Sequence, residues 1–228
     1  MPPAKRKPVV SDNSQTDARL ARRERRRDRS REEILEAARR VLLRRGIAAT
    51  TLDAVAAEVG VSKPTLYYYY PSKNALLFDL IFGVLKGHAD AVHDAVEQAQ
   101  DGGAALRAVV SASVKVFAPR LDDFRLAFLH GQVAEHGAVH FDQQQFARIR
   151  PLNELWFAGA AGKLAKERKN RKGRALVEPR LMAFLAYLAA LGLLTMKGMV
   201  ESQEDPLIYS DEQLVEGFAR IFEVAAAA

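Results

Sequence analysis

The sequence predicts an all-α protein, a three-helix helix-turn-helix head followed by a larger helical body. Three observations lead there. Apolar residues recur at one-face helical spacing through most of the last 200 residues. No sustained period-two alternation and no Asn-Gly or Asp-Gly hairpin signal breaks that pattern. Glycines, prolines and Ser/Thr capping residues punctuate it at helix-length intervals. The expected organisation is a basic, largely flexible arm over residues 1–29, a helix-turn-helix domain over 30–75, and a ligand-binding and dimerisation domain over 76–228.

The arm is set apart by charge. Residues 1–31 hold eleven Lys or Arg against four Asp or Glu, while the rest of the 228-residue chain is balanced to within one charge. A basic arm on a neutral body suits an acidic partner, nucleic acid first, or else a solvated tail. Residues 1–16 read as disordered; from Asp17 the Ala, Leu and Arg content favours helix, so part of the arm can extend the first helix.

Ser30 with Glu33 forms a capping box for that helix. Ile34, Ala37, Ala38, Val41 and Leu42 make its inner face, and Gly46 ends it. Thr50 and Asp53 open a second, short helix whose inner face is Leu52, Val55, Ala56 and Val59, with Gly60 as its stop. Ser62 caps a third, with Pro64 in the first turn, where a missing N–H costs nothing, and Pro71 beyond its end. A long fourth helix runs from Lys73 towards Gln100. Gly102 and Gly103 lead into a fifth, closed by Pro119, and Phe124 opens a shorter one to about Glu135. Pro151 predicts a break or kink in the next. Leu181 to Met196 carries no charge, but Arg180 and Lys197 bracket it and it is shorter than the ~20 residues of a bilayer span. It reads as a helix covered by its own chain and by a second copy, with no membrane partner. Ser210 and Gln213 cap the last helix.

The segment TTLDAVAAEVGVSKPTLYYYYPSK, residues 50–73, carries the functional signal. Two short helices meet across a glycine turn, the layout that puts a second helix into the DNA major groove. The first turn of that helix offers Lys63, Pro64 and Thr65, and the next offers Tyr67, Tyr68 and Tyr69. Hydroxyls and an ammonium suit phosphates and base edges. Leu66 and Tyr70 face the core by spacing. The bland alternative, a helical hairpin with a packed tyrosine cluster, fails because four consecutive tyrosines cannot all be buried on one short helix.

These residues resemble the TetR-type transcriptional regulators. The resemblance covers residues 30–82 and rests on Thr50, Val55-Ala56, Gly60-Val61-Ser62, Thr65-Leu66-Tyr67, the aromatic Tyr70 and Ser72-Lys73. Pro64 and Tyr70 replace the glycine and phenylalanine frequent in that family. The resemblance implies a homodimer on double-stranded operator DNA, acting as a repressor released by a small effector. It implies that Tyr67 and Lys73 grip phosphates, that Lys63, Thr65 and Tyr68 sit nearest the bases, and that Thr50 or Thr51 anchors the second helix to the backbone. It also implies a dimer contact through the last two helices, with Leu188, Leu191, Phe218 and Phe222 at or beside it.

The body is rich in aromatic residues, which suit either a core or an apolar or aromatic effector. Phe117, Phe124, Phe128, His130, Trp156 and Phe184 are the expected lining. His136 and His140, with Glu135 and His130 near, have helical spacing for a metal, but Gly137 lies between them and the order is not a zinc-protease motif; no metal and no cofactor is expected. Seven basic residues in the 163–174 region read as a solvated connection or a second acidic-partner contact. The chain has no cysteine, so disulfide, thiol and cysteine-zinc chemistry are excluded. No Gly-x-Ser-x-Gly, dinucleotide glycine motif or convincing carboxylate pair supports an enzyme. The rival is a non-specific nucleic-acid-binding protein driven by its arm. The charged first thirty residues lack a signal-peptide pattern, which places the expected compartment in the cytoplasm.

Overall fold

The computed structural model describes residues 12–129, 140–169, 177–202 and 209–227. Among them every regular element is helical. The chain divides into two compact units, the first ending at Leu76 and the second beginning at Leu77.

The first unit holds α1 (Asp12–Ala49), α2 (Leu52–Val59), α3 (Lys63–Tyr69) and the first turn of α4 (Lys73–Gln98). Ile34, Ala37, Ala38 and Val41 of α1 pack on Leu52, Val55 and Ala56 of α2, with Leu66, Tyr70 and Leu76 closing the core. These are the residues the spacing places inward. Gly46 leaves the helical region at φ 75°, ψ 170°, so α1 turns sharply there. Gly60 sits at φ 79°, ψ 30°, the left-handed cap that lets α2 stop and α3 start within three residues.

The arm departs from the expected flexible chain. Residues 12–29 are helical and continuous with α1. Ala, Leu, Arg, Glu and Gln are good helix formers, and no glycine or proline stands between Asp12 and Gly46 to stop propagation from the packed turns.

The second unit is built from the rest of α4, α5 (Gly102–Phe117), a 3-10 turn (Ala118–Arg120), α6 (Leu121–Phe124), a π-helical turn (Arg125–Leu129), α7 (Gln143–Lys169), α8 (Pro179–Ser202) and α9 (Asp211–Ala227). Its centre lies where α5 meets α7, α8 and α9. The approach of α7 to α4 depends on Gly159: a Cβ there would lie 2.9 Å from Val96 Cγ1. The short helix expected at Phe124 instead begins at Leu121 and widens into the π turn after one turn. No break occurs at Pro151, since α7 runs through it. Proline deprives the Ala147 carbonyl of its partner, and both residues are exposed, so water satisfies that oxygen. Two basic side chains of the 163–174 stretch donate to backbone carbonyls: Lys163 to Ala99 O at 2.8 Å, just past the end of α4, and Arg168 to Val177 O, ahead of α8. Residues 170–174 lie outside the described residues.

Candidate nucleic-acid interface and the interior of the body

The face of the first unit follows from how α3 is held. Thr51 Oγ1 accepts from Ala54 N at 3.1 Å and starts α2. Ser62 Oγ accepts from Thr65 N at 3.3 Å and starts α3; the same oxygen lies 2.8 Å from Thr65 Oγ1. Lys63 Nζ donates to Asp53 Oδ2 at 2.5 Å, tying the first turn of α3 to α2. That hydrogen bond raises the Lys63 pKa above its ordinary value, with the carboxylate's charge adding to it. Glu58, between Arg40 and Arg44 of α1, fixes α2 from the other side. Its pKa is lowered, first by the Arg44 hydrogen bond and then by that from Arg40.

With Leu66 wholly buried as the anchor, α3 turns the rest of its side chains outward. Thr51, Lys63, Pro64 and Thr65 are exposed; Tyr67 and Tyr68 are 50% and 67% exposed; Tyr69 is half-buried, edge-on to Tyr68 at 5.3 Å. Two of the expected contact residues are used internally. Thr50 is fully buried, and its hydroxyl donates to Gly46 O at 2.8 Å. That bond secures the turn after α1, so Thr50 supports the face without belonging to it. Lys73 donates to Ile47 O at 2.5 Å and Ala48 O at 3.1 Å, capping carbonyls that the end of α1 leaves open. Partial burial lowers the Lys73 pKa.

In the second unit the aromatic residues converge on His88, which sequence reading left out. It has no solvent exposure. Its ring lies 4.8 Å from Phe117, 5.9 Å from Phe128, 5.8 Å from Trp156 and 6.2 Å from Tyr187, centroid to centroid. Phe124 joins the cluster through Phe117 at 5.7 Å. The tautomer follows from the hydrogen bonds. Ser113 has one proton and donates it to Val109 O at 2.8 Å. At 2.9 Å, His88 Nε2 must therefore donate to Ser113 Oγ, which leaves Nδ1 as a bare acceptor. Desolvation pushes the His88 pKa down to about 4, so the ring is neutral near pH 7. Among the described residues, neither Nδ1 of His88 nor the Nε1–H of Trp156 has a hydrogen-bond partner, although both are buried. One is an acceptor and the other a donor. Phe184 does not join this interior: it is 40% exposed and packs edge-on to Phe157 at 6.0 Å, because α8 turns it to the outer side. His130 and His136 lie outside the described residues, and His140 is exposed.

The outer side of α8 is apolar. Met182, Ala183, Ala186, Tyr187, Ala190, Leu193 and Leu194 are buried, whereas Leu181, Phe184, Leu185, Leu188, Met196 and Met199 are exposed, as are Ile221 and Val224 of α9. By length and composition Pro179–Val200 could cross a membrane. Its two faces differ, however, one packed on α5 and α7 and the other bare. Of the residues expected at a dimer contact, Leu188 is exposed, Leu191 and Phe218 are half-buried, and Phe222 is buried.

Residues 34–80 match the family model described as "Bacterial regulatory proteins, tetR family". That match takes in the helix-turn-helix of the head. Over 113 residues the chain is 35% identical to the HTH-type transcriptional activator FasR of Mycolicibacterium smegmatis, a match covering 48% of this chain and 50% of FasR. The chain thus spans about half the length of this curated relative. Among solved structures it is similar to a transcriptional regulator of the TetR/AcrR family from Thermobifida fusca, with TM-score 0.64 and 19% identity over 85% of this chain and 96% of that one. FadR from Bacillus subtilis, solved in complex with stearoyl-CoA, aligns with TM-score 0.61 and 15% identity over 86% and 97% of the two chains. These structural likenesses extend the all-α TetR-like fold through the body.

The head therefore carries its chemistry on capped, exposed side chains, and its sequence displayed most of them. The body carries its chemistry inside. His88 escaped notice because one histidine on an apolar helix face gives no pattern; only the meeting of four helices and a π turn surrounds it with rings.

Proposed function

We propose that the chain is a homodimeric, sequence-specific DNA-binding transcriptional regulator of the cytoplasm, a repressor released from a palindromic operator by a small apolar or aromatic effector. The single observation that carries the DNA reading is the outward row of Thr65, Tyr67 and Tyr68 on a short helix fixed by Ser62, Lys63–Asp53 and buried Leu66. Such a helix presents hydroxyls and rings in one orientation, as direct readout of base edges requires. Thr51, Lys63, Pro64 and Tyr69 flank them, and the Nζ of Lys73 keeps its place at the end of α1 while facing the backbone. The bare stripe of α8 is covered by the same stripe of a second copy. Two recognition helices then fit successive major grooves about 34–36 Å apart.

Phe117, Phe124, Phe128 and Trp156 form the apolar wall for the effector, with His88 Nδ1 and Trp156 Nε1–H as its polar handles. A neutral hydroxyl can donate to the first and accept from the second, whereas a carboxylate can only accept. Differential affinity of the effector for the two states of the protein drives release.

Footprinting with the full chain should protect a pseudo-palindrome. Tyr68→Ala should weaken that site by about 1–3 kcal/mol while leaving scrambled DNA nearly unaffected. Equal binding of both DNAs by the unaltered protein would favour the non-specific reading. For the effector, thermal shift should rank an aromatic alcohol above the hydrocarbon of the same shape; the reverse order would remove the polar handles from the site.

A further inference from the structure

Beside α3 lies a groove of about 370 Å³ that the helix-turn-helix motif does not account for. Arg23, Arg26, Arg27 and Ser30 of α1 form one wall, and Tyr68 and Tyr69 of α3 form the other. Leu20 and Glu24 complete it. The groove exists because the basic arm is a helix: the 3.6-residue period brings Arg23, Arg27 and Ser30 to one side.

Its charge is uncompensated. Arg19, Arg22, Arg23, Arg25, Arg26 and Arg27 make no ion pair among the described residues, and all are exposed. Further along α1 the pattern changes: Arg29 pairs with Glu33 at 3.1 Å, and Arg31 lies over the Tyr70 ring at 5.3 Å. Like charges three and four residues apart, such as Arg22 with Arg26 and Arg23 with Arg27, repel and weaken an isolated helix. An anionic partner laid along this face removes that repulsion. Glu24 offsets only one of the three arginines in the groove.

We propose that the groove seats a phosphodiester strand of duplex DNA flanking the major groove read by α3, with Arg23, Arg26 and Arg27 on phosphate oxygens and the Ser30 hydroxyl as a donor beside them. This rests on the helix-turn-helix reading of the head. The dimensions agree. From Arg23 to Ser30 the helix rises about 10 Å, enough for its arginines to reach neighbouring phosphates of one strand. Arginine suits the task, since its planar fork binds phosphate oxygens two at a time. Leu20 and the Tyr69 ring give the sugars an apolar surface. The occupant is DNA backbone, so the groove contributes affinity and register but no sequence discrimination.

The test compares the full chain with R23Q/R26Q/R27Q and R23K/R26K/R27K on the footprinted operator and on scrambled DNA across a salt series. Glutamine has nearly the helix propensity of arginine, and circular dichroism checks that α1 is retained. Each lost phosphate contact flattens the log affinity–log salt slope by about 0.9, so the glutamine variant should lose about 2–5 units of slope per dimer on both DNAs alike. The lysine variant should keep its slope to within about one unit. Parallel lines for the glutamine variant, with operator binding intact, overturn the groove assignment and leave the regulator reading standing. A full chain that binds neither DNA overturns both. Phosphatidylglycerol vesicles provide the last arm: loss of vesicle binding with an unchanged DNA slope assigns the groove to a lipid surface and overturns the proposal.

Discussion

The two units place their polar chemistry on opposite sides of their cores. In the first, the hydrophobic core is aliphatic apart from Tyr70, and the starts of α2, α3 and α4 are tied by local side-chain bonds from Thr51, Ser62 and Ser72. The Thr65 hydroxyl, the Tyr67 and Tyr68 rings and the arginines of the arm are exposed. In the second, the interior is aromatic and includes a buried histidine with one nitrogen that finds no partner among the described residues, while part of their outer surface is bare hydrocarbon. A unit that reads a rigid, charged, solvated partner needs a closed core and a fixed outer face. One that responds to a small apolar partner needs interior groups whose hydrogen bonds are incomplete, because burying an unpaired polar atom is costly until something meets it.

Putting a charge on the bare stripe should have the largest effect. Leu188→Glu, in a homodimer joined by α8, buries an unpaired carboxylate at a cost of about 3–5 kcal/mol per site. Sedimentation should show monomer, and operator protection should vanish with it. A dimeric Leu188→Glu variant would show that the bare hydrocarbon of the second unit serves some other contact.

Acid should act on the second unit through His88. Its folded pKa of about 4 lies below the ordinary 6.5, so the unfolded chain takes up the proton first. The resulting stability is fully present above pH 6.5, fades as pH falls, and is gone below about 4, an effect on the order of 3 kcal/mol. Tyr187, the other ionisable ring at the cluster, is pushed upward by burial and stays neutral throughout. Thermal melts at pH 7 and pH 5 should differ more for the wild type than for His88→Gln. Equal pH dependence would mean that the ring is not isolated from water.

Smaller effects test the head. Gly60→Ala places a Cβ at φ 79° with nothing within 4 Å, so its cost is conformational alone, about 1–2 kcal/mol of stability. A smaller loss in chemical denaturation would show that the turn relaxes. Thr50→Val should cost about 1 kcal/mol through the lost bond to Gly46 O. Operator affinity of the folded variant should remain unchanged. A large affinity loss would return Thr50 to the outward face and weaken the contrast between the units.

Much of the head was legible in advance because its determinants are local. Glycine stops and i, i+4 apolar spacing act within a few residues, so Leu66 and Tyr70 could be placed inside and Tyr67 and Tyr68 outside from their neighbours alone; the capping pairs were less exact, since Ser30 and Glu33 lie within α1 and Thr51 rather than Thr50 caps α2. The extension of α1 into the arm was legible from Asp17 onward through helix propensity alone, since a polar arginine run carries no apolar stripe. Pro151 does not break α7, since a proline in an exposed helix segment removes only one hydrogen bond.

The amino-acid sequence by itself determined the helical class, the turn at Gly60, the outward set on α3 and the charge of the arm, because each follows from short-range sterics, hydrogen bonding or composition. Tertiary structure alone decided that Thr50 and Lys73 are spent on the end of α1, that α1 and α3 wall a groove, that Phe184 faces outward, and that His88 is enclosed. Those outcomes depend on which side of one helix meets another, and a side chain's surroundings there are assembled from residues as many as a hundred positions apart, such as His88 and Tyr187.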